Sequence, residues 1–324
     1  MCRLLGKGKS NVIVLKDSVG SPPAMAIVNE LRKRGIKVIG IDSDPLSAGL
    51  YLCDKSYLVP KADDPKFLNM ILKICDIEKP NIILPGLDKA TLIIARNKAL
   101  LAKRGILALC PDYDSSWVCI NKRETHRKLE SLGIPIPKIF TKKTVKFPCI
   151  IKPSFGSGGT GVSLVNNMSE MESHLSKIEN PIIQEFVEGT EYSIDVFSDL
   201  NGNPLSIVPR IRIQTESGIS IKGVTLYDKT LMDYCDKISR KLRLIGPSCI
   251  QCIKSKKGVK FIEINLRFGG GSILSLNANP SIVSNLIRMA EGEKPLVNGK
   301  FKNGLTMLRY YSEVFVPKGK IMKN

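Results

Sequence analysis

The stretch FPCIIKPSFGSGGTGVSLV, residues 147–165, decides how the rest of the chain is read. Its apolar run ends at Lys152, whose backbone is kept extended by the following Pro153, and the proline itself closes the strand. Beyond it Gly156, Ser157, Gly158, Gly159 and Gly161 can turn successive amide N–H groups toward an anion, because no Cβ crowds the approach. A fixed cation beside a loop of open amides is a grip for phosphate. Taken alone the same glycines make a plain hairpin loop, so the reading depends on what else the chain carries.

Three other segments point the same way. In NKRETHRKLESLGIPIPK, 121–138, Lys122 opens an amphipathic helix that ends at Gly133. In IIQEFVEGTEYSIDV, 182–196, an apolar strand stops at Gln184, Glu185, Phe186 and Val187 and resumes after Gly189. In IQCIKSKKGVKFIEINLRFGGGS, 250–272, a hairpin carries Glu263, Asn265 and Arg267 on one strand; residues two apart share a face, so these three project together while Ile262, Ile264 and Leu266 are expected in the core. Oxygen ligands at that spacing suit a hard cation such as magnesium, which takes one or two carboxylates and fills its shell with phosphate oxygens and water. If the hairpin loop has an odd number of residues, Gln251 faces Glu263 and joins them.

Composition narrows the class. With 324 residues, 43% hydrophobic and 24% charged, the chain is expected to fold into two or three lobes. No run of about 18 apolar residues suggests a membrane span, and MCRLLGKGKS at the start lacks the apolar stretch of a signal peptide, so a cytoplasmic protein is expected. Nine cysteines without a regular framework read as reduced thiols; Cys249 and Cys252 lie three apart on a strand, which places them on opposite faces and argues against zinc. The net charge of +19 is spread along the chain with only 6% aromatic residues, which argues against a stacking platform for nucleic acid.

Residues 11 to about 110 alternate strand and helix patterns: NVIVL, PAMAIVNELRKRG, KVIGID, KSYLVP, DPKFLNMILKICDIEK, NIILP, DKATLIIARNKALLAKRG and ILALC. That alternation predicts a doubly wound parallel sheet. Asp42 ends the second strand where a ribose-binding acid would stand, but the first loop, KDSVGSPPAM, holds only Gly20, which excludes the dinucleotide fingerprint. A Walker loop fails too, because Arg3 precedes GKS at 8–10 where a glycine is required. After a helix over 119–133 the chain turns strand-rich, with helices expected over 168–177, 229–243 and 279–291.

The order of these motifs resembles the ATP-grasp superfamily, and within it the carboxylate-amine ligases similar to the large subunit of carbamoyl-phosphate synthetase. VIGIDSDPLSAGLYLCDKSYLVP, 38–60, also looks like the pre-ATP lobe of that branch. The resemblance implies an α/β and α+β protein with an ATP-grasp fold: a Rossmann-like pre-ATP domain over 1–112, a small lobe with the glycine flap over 113–184, and a large lobe with the metal and substrate site over 185–324. It implies that Lys122 and Lys152 reach the nucleotide phosphates under the flap. Glu185 and the backbone of Val187, flanked by Gln184 and Phe186, read adenine; Glu191 takes the ribose hydroxyls. Glu263 and Asn265, with Gln251, hold Mg2+, for which Mn2+ is an alternative, and Arg267 faces the transferred phosphate.

Phosphoryl transfer to a carboxylate brings two anions together, so catalysis is mainly positioning and cation shielding. Arg210 and Arg212, in VPRIRIQTESGISIKGVTLYD at 208–228, alternate onto one face and suit the substrate acid or its acyl phosphate, with Lys222 a further candidate. His126 and His174 stand in polar helical stretches and are expected to face solvent. Where the synthetase carries a histidine after its GI, this chain has Ser220, and it corresponds to one synthetase half only. The expected reaction therefore joins an organic acid to an amine, with ATP and Mg2+ required and a homodimer an open alternative. An ATP-dependent carboxylase using bicarbonate, or a non-catalytic ATP- or nucleic-acid-binding module, is the rival reading.

Overall fold

In the computed structural model, which describes residues 11–156 and 158–323, the chain builds three sheets. The first holds β1 (Ile13–Asp17), β2 (Lys37–Asp42), β3 (Lys55–Leu58), β4 (Ile82–Leu84) and β5 (Leu107–Ala108), all parallel, in the order β3-β2-β1-β4-β5. Helices α1 (Pro22–Lys33), α2 (Phe67–Glu78), α3 (Asp88–Arg96) and α4 (Lys98–Ala102) connect them. Ser21 caps α1 by accepting from Ala24 N at 3.3 Å, with proline in the first turn where no N–H is needed. One helix was expected over 88–105; it breaks at Asn97, whose side-chain amide donates back to Ile93 O at 2.8 Å. β1 also runs on through Lys16 and Asp17, both buried, past the NVIVL that the apolar run delimits.

A separate helix that was not expected, α5 (Tyr113–Ile120), ends with residues 119 and 120 of the helix expected over 119–133, and α6 (Lys122–Ser131) opens at Lys122 as expected. Asn121 divides them, because its side-chain oxygen accepts from Arg123 N at 3.1 Å and Glu124 N at 3.4 Å and so starts a new helix. The second sheet is antiparallel: β6 (Ile139–Phe140), β7 (Cys149–Pro153), β8 (Ser163–Val165) and β9 (Pro181–Glu185), in the order β6-β9-β7-β8, with α7 (Met168–Leu175) on one face. Its core is small, made of Cys149, Ile151, Val165, Met171 and Ile183.

The third sheet, also antiparallel, holds β10 (Thr190–Ser198), β11 (Pro204–Glu216), β12 (Ile219–Thr225), β13 (Gly246–Ser255), β14 (Gly258–Asn265) and β15 (Thr306–Leu308), in the order β14-β13-β10-β11-β12-β15. Helix α8 (Lys229–Leu242) and residues Cys119, Leu129 and Ile134 share its inner core. A further helix that was not expected, α9 (Ser272–Ala278), precedes the helix expected over 279–291, which is α10 (Ser281–Ala290), and Pro280 lies between them. Leu276, Ile282, Val283, Leu286 and Met289 of these helices pack in one core with Val14, Ile27, Val28, Leu31 and Val38 of the parallel sheet and α1. That shared apolar core packs the first sheet against the α9–α10 segment that follows the third.

The β13–β14 hairpin departs instructively from expectation. Its loop has two residues between the pair Ser255 and Gly258, an even number, yet Gln251 still faces Glu263. The register shifts between Gln251 and Cys252, so Ile262 is an extra residue in β14: Phe261 and Ile264 are core, while Ile262 turns to the cleft with Glu263. A β-bulge thus supplies the parity change that an odd loop would have supplied. Ile262 was expected in the core, and the bulge is why it is not. Phe261 is fully buried and packs edge-on against Tyr234 with ring centroids 5.5 Å apart. Phe261→Ala should lower unfolding stability by about 3–5 kcal/mol in urea titration; a loss under about 1 kcal/mol would contradict its place at the centre of that core.

Candidate active site

The three sheets enclose a cleft of about 1520 Å³, lined from all of them. Lys122, the first residue of α6, is buried; its side chain donates to Gly156 O and lies 3.6 Å from Glu263 Oε1, while its own N–H donates to Ser154 O at 2.9 Å. Lys152, next to last in β7, reaches Ile262 O at 3.4 Å from the other side. Burial, opposed by Glu263 and assisted by Lys122, brings the Lys152 pKa down to about 8. Two lysines from different elements and one strand carboxylate therefore meet in one place.

Glu263 lies opposite Gln251 on β13. With the Gln251 amide turned as its neighbours require, its nitrogen donates to Glu263 Oε2 at 2.8 Å and its oxygen accepts from Arg212 at 3.2 Å. Arg212 in turn pairs with Glu191 and donates to Gly218 O at 2.9 Å. Asn265 Oδ1 accepts from Arg267 Nη2 at 2.9 Å, and the other arm of Arg267 pairs with Asp88 at the start of α3. Among the described residues no group of three or more His, Cys, Asp or Glu could hold a metal by itself. One carboxylate, that of Glu263, with the Asn265 amide oxygen could take magnesium that brings nucleotide phosphates as its remaining ligands; Gln251, expected as a third ligand, turns its nitrogen to Glu263 and its oxygen to Arg212, and would join them only with its amide turned over.

At the far end Gln184, Glu185, Phe186 and Val187 line the cleft where β9 runs out. Burial pushes the Glu185 carboxyl up, but Lys138 N at 2.9 Å and Lys260 Nζ at 2.6 Å outweigh it and leave its pKa below the usual range. Gln184 is buried with its Oε1 unpartnered among the described residues. Gly156, Gly158, Gly159 and Gly161 all have positive φ, between 71° and 112°, so the flap between β7 and β8 has a backbone that other residues resist. Ser157, expected among the flap residues, lies outside the described residues. Gly218 brings the β11–β12 turn against this flap: a Cβ there would stand 2.8 Å from Gly158 O.

Arg210 differs from the free carboxylate fork that was expected. It is buried, with Nε and Nη2 bound to Asp195 at 2.6 and 3.1 Å, and Asp195 also accepts from Ser272 Oγ at 2.7 Å and Ser275 Oγ at 2.5 Å. The fork is spent on ordering α9 against β10 and β11. Only Nη1 is left toward the cleft, where a Cβ at Gly271 would come within 2.4 Å of it. Lys222 is exposed on β12, paired across to Leu308, and does not line the cleft. Ser220 does, buried and with its hydroxyl unpartnered among the described residues.

The ATP-grasp domain family matches residues 119–271, and the PylC-like N-terminal domain family matches residues 18–109. Residues 119–271 are an ATP-grasp domain. Solved ATP-grasp structures with the same fold include N5-carboxyaminoimidazole synthetase from Staphylococcus aureus complexed with ADP, at 18% identity and TM-score 0.73 over 92% of this chain and 81% of that one. An L-amino acid ligase from Bacillus licheniformis matches at 17% identity and TM-score 0.67, over 88% of this chain and 75% of its own. Biotin carboxylase from Campylobacter jejuni matches at 18% and 0.70, over 87% and 71%. The ATP-grasp cleft also holds residues that sequence reading passed over: Asp88, Lys16, and Trp117, whose ring stands 5.4 Å from that of Phe155.

His126 is a correction. Expected in solvent, it is 3% exposed on the inner side of α6, and neither ring nitrogen has a partner among the described residues. Burial, with the Lys152 charge adding to it, lowers its pKa to about 3. It is therefore neutral when folded, whereas an unfolded histidine titrates near 6.5, so the unfolded chain binds the extra proton and stability falls as pH drops from about 6.5 toward 3. His126→Phe should remove that component, flattening the acid limb of stability by up to about 1.4 kcal/mol per pH unit in urea titrations between pH 6 and 4. Parallel slopes for variant and wild type would contradict the burial.

Proposed function

We propose that this ATP-grasp protein is an ATP- and Mg2+-dependent ligase that activates a carboxylate as its acyl phosphate and joins it to an amine. The observation that carries this is the meeting of Lys122, Lys152 and Glu263 in a single cleft, with Lys122 3.6 Å from Glu263. An ammonium pair and a carboxylate that lie together in a buried site are matched to a triphosphate and its cation, which would take over the partner of each. In the reaction a carboxylate oxygen attacks the γ-phosphorus and ADP leaves with the bridging oxygen. The amine then attacks the acyl carbon, phosphate departs, and the amine loses a proton to give the amide.

The chain's own residues do the positioning. Lys122 and Lys152 shield the phosphates under the flap, Glu191 and the 184–187 segment hold the nucleoside, and Arg267 with the free Nη1 of Arg210 stand where charge develops on the transferred group. Magnesium, where bound, supplies charge neutralisation between the phosphates; manganese accepts the same oxygen donors. The lobe division at 112 and 184 and a cytoplasmic setting belong to this proposal, the latter supported by eight unpaired thiols among the described residues. The homodimer is proposed by analogy with the dimeric biotin carboxylase domain of the 2-oxoglutarate carboxylase from Hydrogenobacter thermophilus. A panel of acids and amines scored by ADP release tests the reaction class, and bicarbonate in the panel separates ligase from carboxylase.

Lys152→Ala should cut acid-stimulated ADP release by about 10²–10³-fold while leaving the circular dichroism spectrum unchanged; undiminished turnover would refute the phosphate grip. The pKa of about 8 adds a second test. Bound phosphate raises that value, so the contribution of Lys152 to nucleotide affinity is complete below about pH 8 and declines as pH rises beyond it. Titration calorimetry with MgADP should show affinity falling between pH 8 and 9.5 in wild type and a flatter profile in Lys152→Ala. An equally steep fall in the variant would assign the dependence elsewhere.

A further inference from the structure

Lys16 is a buried cation to which the proposed reaction gives no role. It is the fourth residue of β1, 5% exposed, and lines the same cleft. In the order β3-β2-β1-β4-β5 the sheet reverses direction of winding between β1 and β4. The crevice beyond the carboxyl ends of strands at such a switch point is where open parallel sheets receive ligands. Lys16 stands at that end of β1, and Gly86 and Asp88 follow β4 on the other side of it.

The ammonium donates to Asp17 O at 2.5 Å, and among the described residues no carboxylate lies within ion-pair distance of it. Asp17 turns its own carboxylate to Gly86 N at 3.0 Å. An ammonium has three donors, so one backbone acceptor leaves it under-used in a place where burial disfavours charge. Gly86 makes the room for it, since a Cβ there would come 2.9 Å from Lys16 Nζ. Two residues on, at the start of α3, is Asp88, the partner of Arg267, so Lys16 and Arg267 border one stretch of cleft. Burial lowers the Lys16 pKa to about 8, with Asp17 opposing and Arg267 adding to the effect, then Cys53 and Asp42 opposing. The charges that act on Lys152 are instead Glu263 and Lys122. The two lysines therefore stand in different charge surroundings within the cleft.

We infer that Lys16 is a specificity-determining residue that binds a second anionic group, carboxylate or phosphate, on the acid whose other carboxylate is activated. This rests on the ligase reading above and narrows it, because the acid substrate becomes one with two anionic ends.

The test is a set of titrations of wild type and Lys16→Met with matched acids, butanoate, succinate and 3-phosphonopropanoate, each with and without MgADP. Wild type should bind succinate or the phosphonate at least tenfold more tightly than butanoate, and which of the two wins identifies carboxylate or phosphate as the group. Lys16→Met should lose that preference with its MgADP affinity unchanged. General attraction of dianions to a chain of net charge +19 would persist in Lys16→Met, which removes a single charge. No preference in wild type, or the same preference in Lys16→Met, would overturn the inference. Absence of MgADP binding in wild type would count against the ligase reading, and the acid preference is read independently of it.

Discussion

The structure depends on a cation and a carboxylate kept against each other in a buried cleft with too few other partners. Lys122 sits at the start of α6 and Glu263 on a bulged strand, elements that are far apart in the chain and meet at 3.6 Å. Charges so placed are costly to bury and gain from a ligand that presents both a polyanion and a divalent cation. The geometry around them follows from that requirement. The flap supplies amides, β7 brings Lys152, and β13 supplies an amide beside the carboxylate.

What keeps these groups in register is apolar. The core shared by α1, the parallel sheet, α9 and α10 binds the first and third sheets together, and the Asp195 network anchors α9 to β10 and β11 beneath the glycines at 269–271. The small second sheet, with a five-residue core against the far larger cores of the other two, carries the flap. That asymmetry suits a site that must admit a nucleotide and then cover it.

Much of this was legible in the residues. Alternating apolar patterns located the parallel sheet, and the glycines after Pro153 and the polar face of β14 located the cleft, because strand periodicity and glycine's freedom leave direct marks in sequence. What escaped were features set by tertiary contact. The bulge at Ile262 changes which side chains face the cleft without any local signal in FIEIN. Lys16 and Asp17 read as a loop after an apolar run, yet they extend a central strand. His126 lies in a helix of polar composition, and only the helix's packing on the third sheet shows that its face is inward. The pairing of Arg210 with Asp195 needed the register of β10 on β11, which places Ser193 opposite Arg210 and brings the acid two residues on within reach.

The central claim is that a nucleotide's phosphates and cation take the place of the Lys122–Glu263 contact. A crystal structure of the protein with magnesium and a non-hydrolysable ATP analogue tests it most directly. The account expects Lys122 and Lys152 on phosphate oxygens, and Glu263 and Asn265 oxygens about 2.1 Å from the metal. A nucleotide bound elsewhere, with Lys122 still resting against Glu263, would contradict it.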